Sequence, residues 1–244
     1  MTVQTSGRML MTGGSGLLGS EIRKLDARVV SPTLRELDIT SYESVARFLK
    51  KHQVATVLHL AAATKPPEHE KNPAWGVEIN IIGTANVARV CHEQGIRLVY
   101  TSTDYVYVGD GPHLETEAVF PPYAFGWSKL GGEAAVHMLK NALTLRLSFG
   151  PVPFPWDKVY EGQLNSKLYV DEMAPLVLAA AKSSATGIMN LGGPRMTLEA
   201  YAKRTRADIQ TIPKPEWVPH DTSLDLTKMQ KELGIKDLKS LLKH

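Results

Sequence analysis

An α/β fold with a doubly wound parallel sheet is what this sequence predicts, on three observations. Short apolar runs alternate with amphipathic stretches from Arg8 to Leu147, as consecutive strand–helix–strand units require. A glycine cluster, TGGSGLLG, separates the first apolar run from the first amphipathic stretch. The chain has 244 residues, 43% of them hydrophobic, enough for one sizeable core with a small lobe added.

The elements follow in order. Arg8–Thr12 reads as the first strand, Leu17–Leu25 as the first helix and Arg28–Ser31 as the second strand. Thr40-x-x-Glu43 has the form of a capping box and opens a helix through Lys51, with Val45, Phe48 and Leu49 on its apolar face. Thr56–Leu60 is a buried strand. Ala74–Glu93 is a long helix that Gly95 ends. Arg97–Ser102 is the next strand. A helix covers Phe125–Lys140, and Leu143–Leu147 closes this part of the sheet.

The pattern changes after Gly150. GPVPFPW is proline-rich and aromatic, which predicts an extended surface segment. Beyond it come a helix over Asp171–Lys182, a strand over Gly187–Leu191 and a helix over Thr197–Thr205. Thr227-x-x-Gln230 has the form of a second capping box. The expected organisation is a cofactor-binding half, residues 1–150, and a small C-terminal substrate lobe, residues 151–244, interleaved with it. No internal repeat or low-complexity segment interrupts this plan.

Composition narrows the function classes. The formal net charge is only +3 and the basic residues are scattered, which argues against a nucleic-acid partner. No segment approaches the roughly 20 apolar residues of a membrane span, and the N-terminus lacks the apolar run of a signal peptide. The lone cysteine, Cys91, stands in an apolar stretch and allows no internal disulfide, as expected of a cytoplasmic protein.

Gly13, Gly16 and Gly19 sit between a strand and a helix, where each has a physical task. The first permits a tight turn, the second lets backbone approach a pyrophosphate, and the third lets helix and strand pack closely. The helix N-terminus then offers free N–H groups and a partial positive charge to the phosphates. This predicts a Rossmann-type dinucleotide site.

The G-G-x-G-x-x-G spacing, VLHLAAATK, EINIIGTANV and LDIT together resemble the extended short-chain dehydrogenases/reductases. YTSTDYVYVGDG, WSKLGGE, YVDEMAP and TSLDLTKMQKELGI narrow the resemblance to the dTDP-4-dehydrorhamnose reductase group, along nearly the whole chain. That group reduces the 4-keto group of a nucleotide-linked deoxysugar with NADPH or NADH. It also includes a non-catalytic regulatory subunit of methionine adenosyltransferase. The resemblance implies cofactor contacts at Gly13, Gly16, Leu17, Leu18, Gly19, Asp38, Ile39, Leu60, Ala61, Ala62, Ala63, Asn80 and Lys129. Asp38 would stand near the adenine amino group, although its type equally suits a turn cap.

The cofactor is expected to be NADP(H), with NAD(H) as the weaker ligand. An NAD site has a carboxylate at the end of the second strand for the ribose 2′-hydroxyl. Here Ser31, Pro32 and Thr33 occupy that region with Arg35 just beyond, a set that accepts a 2′-phosphate. Glu36 opposes this reading if the loop turns it inward.

The resemblance places a hydroxyl at Thr103, with Ser102 beside it, and a lysine at Lys129. In the family a tyrosine stands four residues before that lysine, and the ammonium lowers its phenol pKa. Phe125 occupies that position here. Tyr123 lies six residues before Lys129, about 240° round a helix, and cannot take the same place. Three readings stay open: an introduced substitution that stops turnover, a natural loss that leaves a binding or regulatory protein, or a different acid such as Asp104 or a water. Because Asp104 is followed by Tyr105 and not a second acid, dehydratase chemistry is disfavoured; a nucleotide-sugar epimerase or dehydratase remains the alternative enzyme.

Asp104, Tyr105, Phe154, Trp156 and Lys158 are the expected contacts to a nucleotide-sugar substrate, by stacking and phosphate pairing. Only about twenty residues separate Gly150 from YVDE, a shorter connection than the resemblance leads one to expect. A homodimer is expected through the helices at 74–93 and 125–140, with Val87, Val90, Ala134 and Met138 on their outer faces. No metal site is expected.

Overall fold

The structure is a computed structural model that describes residues 7–216 and 218–244. The N-terminal residues 1–6, part of the segment read for a targeting run, lie outside the described residues.

Alternation of side chains along parallel strands builds a core on each face of the sheet. Strands β1 (Arg8–Thr12), β2 (Val54–His59), β3 (Arg97–Thr101) and β4 (Leu143–Leu147) lie side by side in that order, and the Gly187–Leu191 strand follows β4. Every pairing is parallel. Leu10, Val57, Leu98 and Tyr100 point to one face, and Met11, Leu58, Val99 and Leu145 to the other. Side-chain period two makes this split unavoidable once both faces are covered.

Helices α1 (Leu17–Leu25) and α2 (Tyr42–His52) cover opposite faces. A short helix α3 (Pro66–Lys71) and the turn α4 (Pro73–Gly76) follow β2. A π-helical segment, Val77–Gly83, then leads into α5 (Thr84–Glu93), so the single long helix expected here is three segments in succession. Helix α5 packs between α2 and α6 (Ala124–His137), with Val87, Val90, Cys91 and Val136 in the core. Helix α7 (Val170–Lys182) lies against α1 on the opposite face. Pro175 inside α7 has no N–H for the Asp171 carbonyl four residues back, and Lys243 Nζ donates to that oxygen instead, at 2.6 Å.

Several sequence expectations are corrected. The second strand is reduced to one bridge, Leu10 with Val30, because the chain turns away at Pro32. The cap of α2 is Ser41, one residue later than the Thr40 box, and its hydroxyl accepts from the Ser44 N–H at 3.2 Å. At α9 (Thr227–Leu233) no Thr227 box forms; Asp225 accepts from the Thr227 N–H. Val87 and Val90 are buried, so of the four residues expected on an outer face only Ala134 and Met138 are exposed.

Residues beyond 150 contribute both to the main sheet and to a separate cluster. Short strands pair Lys158–Tyr160 with Gln210–Ile212, and Leu164–Asn165 with Met196–Thr197 and Asp221–Thr222. Phe154, Val159, Tyr169, Tyr201, Ala202 and Ile209 form a small core beside them, with Leu198 of α8 (Leu198–Lys203) at its edge.

Candidate active site

The C-terminal ends of β1, β2 and β3 bring Gly13, the Leu60 to Ala63 loop, Ser102 and Thr103 to one edge of the sheet, where open α/β sheets take their ligands. Gly13 leaves β1 with φ +71°, and a Cβ there would meet the Ala61 backbone at 2.6 Å. A Cβ on Gly19 would meet the Gly13 carbonyl oxygen at 2.5 Å. Gly16 is different: it caps α1, is exposed, and a Cβ there would meet only the Gly13 oxygen, at 3.3 Å. No side chain caps α1 and no acidic residue stands in its first turn, which leaves its N-terminal N–H groups for an anion. These residues fit the pyrophosphate of a dinucleotide.

Leu18 and Ile39 are core side chains, so any cofactor contact there falls to the backbone, whereas Leu17 is exposed. Ser31 lies directly against the loop, since a Cβ on Gly14 would collide with its hydroxyl. Arg35 is exposed beyond it. Glu36 is turned to its own loop, where its carboxylate accepts from the Thr33 N–H at 2.7 Å and the Thr33 hydroxyl at 2.8 Å. The backbone bond first, then the hydroxyl, holds Glu36 below the usual carboxylate range. Asp38 Oδ1 likewise accepts from the Thr40 N–H and hydroxyl, the turn-cap role its residue type allows.

Leu60, Ala61 and Ala62 are half-buried after β2, and Ala63 is buried. Their loop is fixed from two sides. The Thr12 hydroxyl accepts from the Ala61 N–H and bonds His59 Nδ1 at 2.7 Å. Asn80, wholly buried in the π-helical segment, accepts from the Ala63 N–H and donates to the Ala63 carbonyl and to Ser128 Oγ. All of the Asn80 bonds go to the protein, so it ties the alanine loop to α6. Burial first, then the Lys129 charge, lowers His59 to about 3 and keeps it neutral.

Ser102 and Thr103 follow β3. Thr103 Oγ1 accepts from the Tyr105 N–H at 3.2 Å and bonds Asp104 Oδ1 at 3.1 Å. Ser102 Oγ is buried with no hydrogen-bond partner among the described residues, a hydroxyl just past the strand end. Lys129 is 4% exposed, and its ammonium lies 4.4 Å from the centre of the Tyr100 ring. Burial lowers it to about 7, against Glu133, which raises it.

Phe125 sits in the first turn of α6, buried between His69 and Tyr105, with ring centres 5.2 and 6.1 Å away. Tyr123 is the residue before the helix, in extended conformation. Tyr105 is 42% exposed over the site. Of the expected substrate contacts beyond 150, Phe154 is 4% exposed and belongs to the small core, which removes its face from stacking on a base. Trp156, 58% exposed and edge-on to Phe154, and Lys158, also exposed, remain accessible.

Sequence reasoning missed two residues. Ser148, just past β4, lowers the Asp104 carboxyl, and its place after a strand is a signal that was there to be read. Burial raises the Asp104 carboxyl, and the charge of half-buried Lys167, on the loop between two short strands, opposes it. No motif marks Lys167.

Comparison with known proteins agrees with this geometry. The sequence model described as RmlD substrate binding domain matches residues 7–150. The chain is 37% identical over 135 residues to a dTDP-4-keto-6-deoxy-D-glucose reductase of Streptomyces niveus, covering 53% of this chain and 47% of the relative. It is 30% identical over 150 residues to methionine adenosyltransferase 2 subunit beta of Rattus norvegicus, covering 57% and 44%. The chain thus spans about half the length of the curated relatives it matches. The crystal structure of dTDP-4-dehydrorhamnose reductase from Bacillus anthracis in complex with NADP superposes with TM-score 0.83, covering 95% of this chain and 94% of that one. At 23% identity this is a likeness of fold. With the glycine loop, the strand-end hydroxyls and the α6 lysine all inside or beside the matched segment, the chain belongs to the RmlD substrate binding domain family.

Proposed function

We propose that the chain is a reductase of a 4-keto sugar nucleotide that uses NADP(H) in preference to NAD(H). The observation that carries this reading is the convergence of the α1 N-terminus, Thr103 and Lys129 at one edge of the sheet. The names of the reductase relatives and the NADP in the superposed structure support it. A bound reduced nicotinamide supplies hydride to a carbonyl carbon.

The chain's own residues do the rest. Gly13, Gly16 and Gly19 leave room for the pyrophosphate, and the α1 N–H groups hold it. Ser31 and Arg35 accept a 2′-phosphate. Lys129 holds the nicotinamide ribose, Thr103 holds the carbonyl oxygen, and Ser102 offers a second hydroxyl. Tyr105, Trp156 and Lys158 grip the nucleotide-sugar at its open side. Phe125 supplies an apolar wall but no proton, which slows turnover. The exposed Ala134 and Met138 suit a homodimer face, and the buried thiol of Cys91 suits the reducing cytoplasm.

One observation favours a second reading, that the protein binds NADP(H) and regulates a partner: residue 125 has no hydroxyl. Calorimetric titration tests the cofactor half of the first reading. NADPH should bind more tightly than NADH, and Arg35→Ala should weaken NADPH alone. Tighter binding of NADH contradicts it.

A further inference from the structure

Resting on the reductase reading, we propose that the Tyr105 phenol, set edge-on to Phe125 and beside Thr103, is the proton donor for the reduced carbonyl oxygen in this chain. The problem it solves is local. The position that carries the proton-donating phenol in related enzymes is an apolar ring, so the alkoxide needs another donor. Thr103 is no net source, because giving up its only proton would leave a second alkoxide behind.

Three contacts fix a phenol at this place. Tyr105 belongs to the short 3₁₀ turn Asp104–Val106, which Thr103 caps, and its N–H donates to Thr103 Oγ1 at 3.2 Å. The same turn presses on the start of α6, where a Cβ on Gly126 would meet the Tyr105 carbonyl oxygen at 2.6 Å. The Tyr105 and Phe125 rings meet edge to face, with centres 6.1 Å apart and planes at 88°. Tyr105 is thus tied both to the strand-end hydroxyl and to the helix turn whose phenol is missing. Asp104 and Val106 on either side of it are buried, whereas Tyr105 is 42% exposed.

Its hydroxyl is also uncommitted. The Tyr100, Tyr107, Tyr169 and Tyr201 hydroxyls all bond within the protein, and the Tyr105 hydroxyl makes no such bond among the described residues. Burial of part of the ring first, then Asp104 and Tyr123, raises the phenol to about 12, so it carries its proton through the neutral range. With a carboxyl beside it and not an ammonium, it is a weaker acid than a lysine-paired phenol and sustains slow turnover only.

The step balances. The carbonyl carbon gains hydride from a bound reduced nicotinamide, which is oxidised, and the carbonyl oxygen becomes an alkoxide. The alkoxide takes the Tyr105 proton as the phenol O–H bond breaks. The phenolate left on Tyr105 is reprotonated by solvent, which reaches the ring.

Four proteins test this: the chain as it stands, Tyr105→Phe, Phe125→Tyr and the double variant, each with NADPH and dTDP-4-keto-6-deoxyglucose. Tyr105→Phe should lower kcat of the Phe125 protein about 10²-fold with KM within about threefold, since the ring and its contacts remain. In the Phe125→Tyr protein the same change should cost less than about tenfold, because the restored phenol takes over. Equal losses in both backgrounds, or a rise in KM with kcat unchanged, would overturn the proposal and leave the reductase reading standing. So would a residual rate that follows Tyr123→Phe instead, or a Phe125 protein with no turnover where Phe125→Tyr is active. If neither protein oxidises bound NADPH, the reductase reading fails and takes the donor with it. NMR of protein labelled with ¹³Cζ-tyrosine gives a readout without turnover. The signal that Tyr105→Phe removes should shift when the keto sugar nucleotide binds in the presence of NADP⁺. A Tyr105 signal unmoved in a saturated complex overturns the proposal.

Discussion

Lys129 is a cation kept in the interior with an aromatic face as its closest partner. The carboxylate four residues on, Glu133, is already engaged by the Arg146 guanidinium at 2.7 Å. Between pH 7 and the ordinary lysine value of 10.5, the unfolded chain carries a proton at this position that the folded chain has shed. Stability therefore rises with pH across that window, and below it the penalty of burying the charge is complete. Lys129→Met should stabilise the protein by about 1–4 kcal/mol at pH 7, a gain that fades toward pH 10. Urea unfolding at several pH values measures both. A variant less stable at pH 7 would mean that the ammonium is compensated in the fold. A residue retained at a cost to stability is what a ribose contact at this position explains.

At the level of elements, the alanine loop owes its shape to a clamp. The π-helical turn at Val77–Gly83 sets Asn80 between Ala63 and Ser128. Asn80→Ala would leave the Ala63 N–H and carbonyl unpaired inside the protein. The expected loss is roughly 2–4 kcal/mol, read from urea unfolding, with NADPH affinity falling as the loop loosens. A loss under about 0.5 kcal/mol would contradict the clamp. The same elements show what a single sequence makes legible. The glycine loop was readable because the positive φ at Gly13 and the close packing at Gly19 fix both spacing and residue type. The second strand was misread because two adjacent valines, Val29 and Val30, look like a strand whether or not a partner reaches them; Pro32 ends the pairing after one bridge. Phe154 was misread because periodicity is lost in a proline-rich run, so its burial depends on Tyr201 and Tyr169 far along the chain. The charge of Lys167 acts on Asp104 only through tertiary folding, and no local pattern announces that.

At the scale of the molecule, the residues beyond 150 supply the fifth strand of the main sheet and a small core of their own. Trp156 and Lys158, in the connection after β4, are exposed. The central claim is that this assembly reduces a keto sugar nucleotide and that Phe125 limits its rate. General acid catalysis contributes roughly 10²–10⁴-fold, or about 3–5 kcal/mol of barrier. The most direct measurement follows nicotinamide absorbance as Phe125→Tyr oxidises NADPH over a panel of 4-keto sugar nucleotides. The predicted result is a rate at least about 10²-fold above the Phe125 protein with one of them. A Phe125→Tyr protein that binds NADPH normally and oxidises it with none of them would contradict the account and favour a regulatory role.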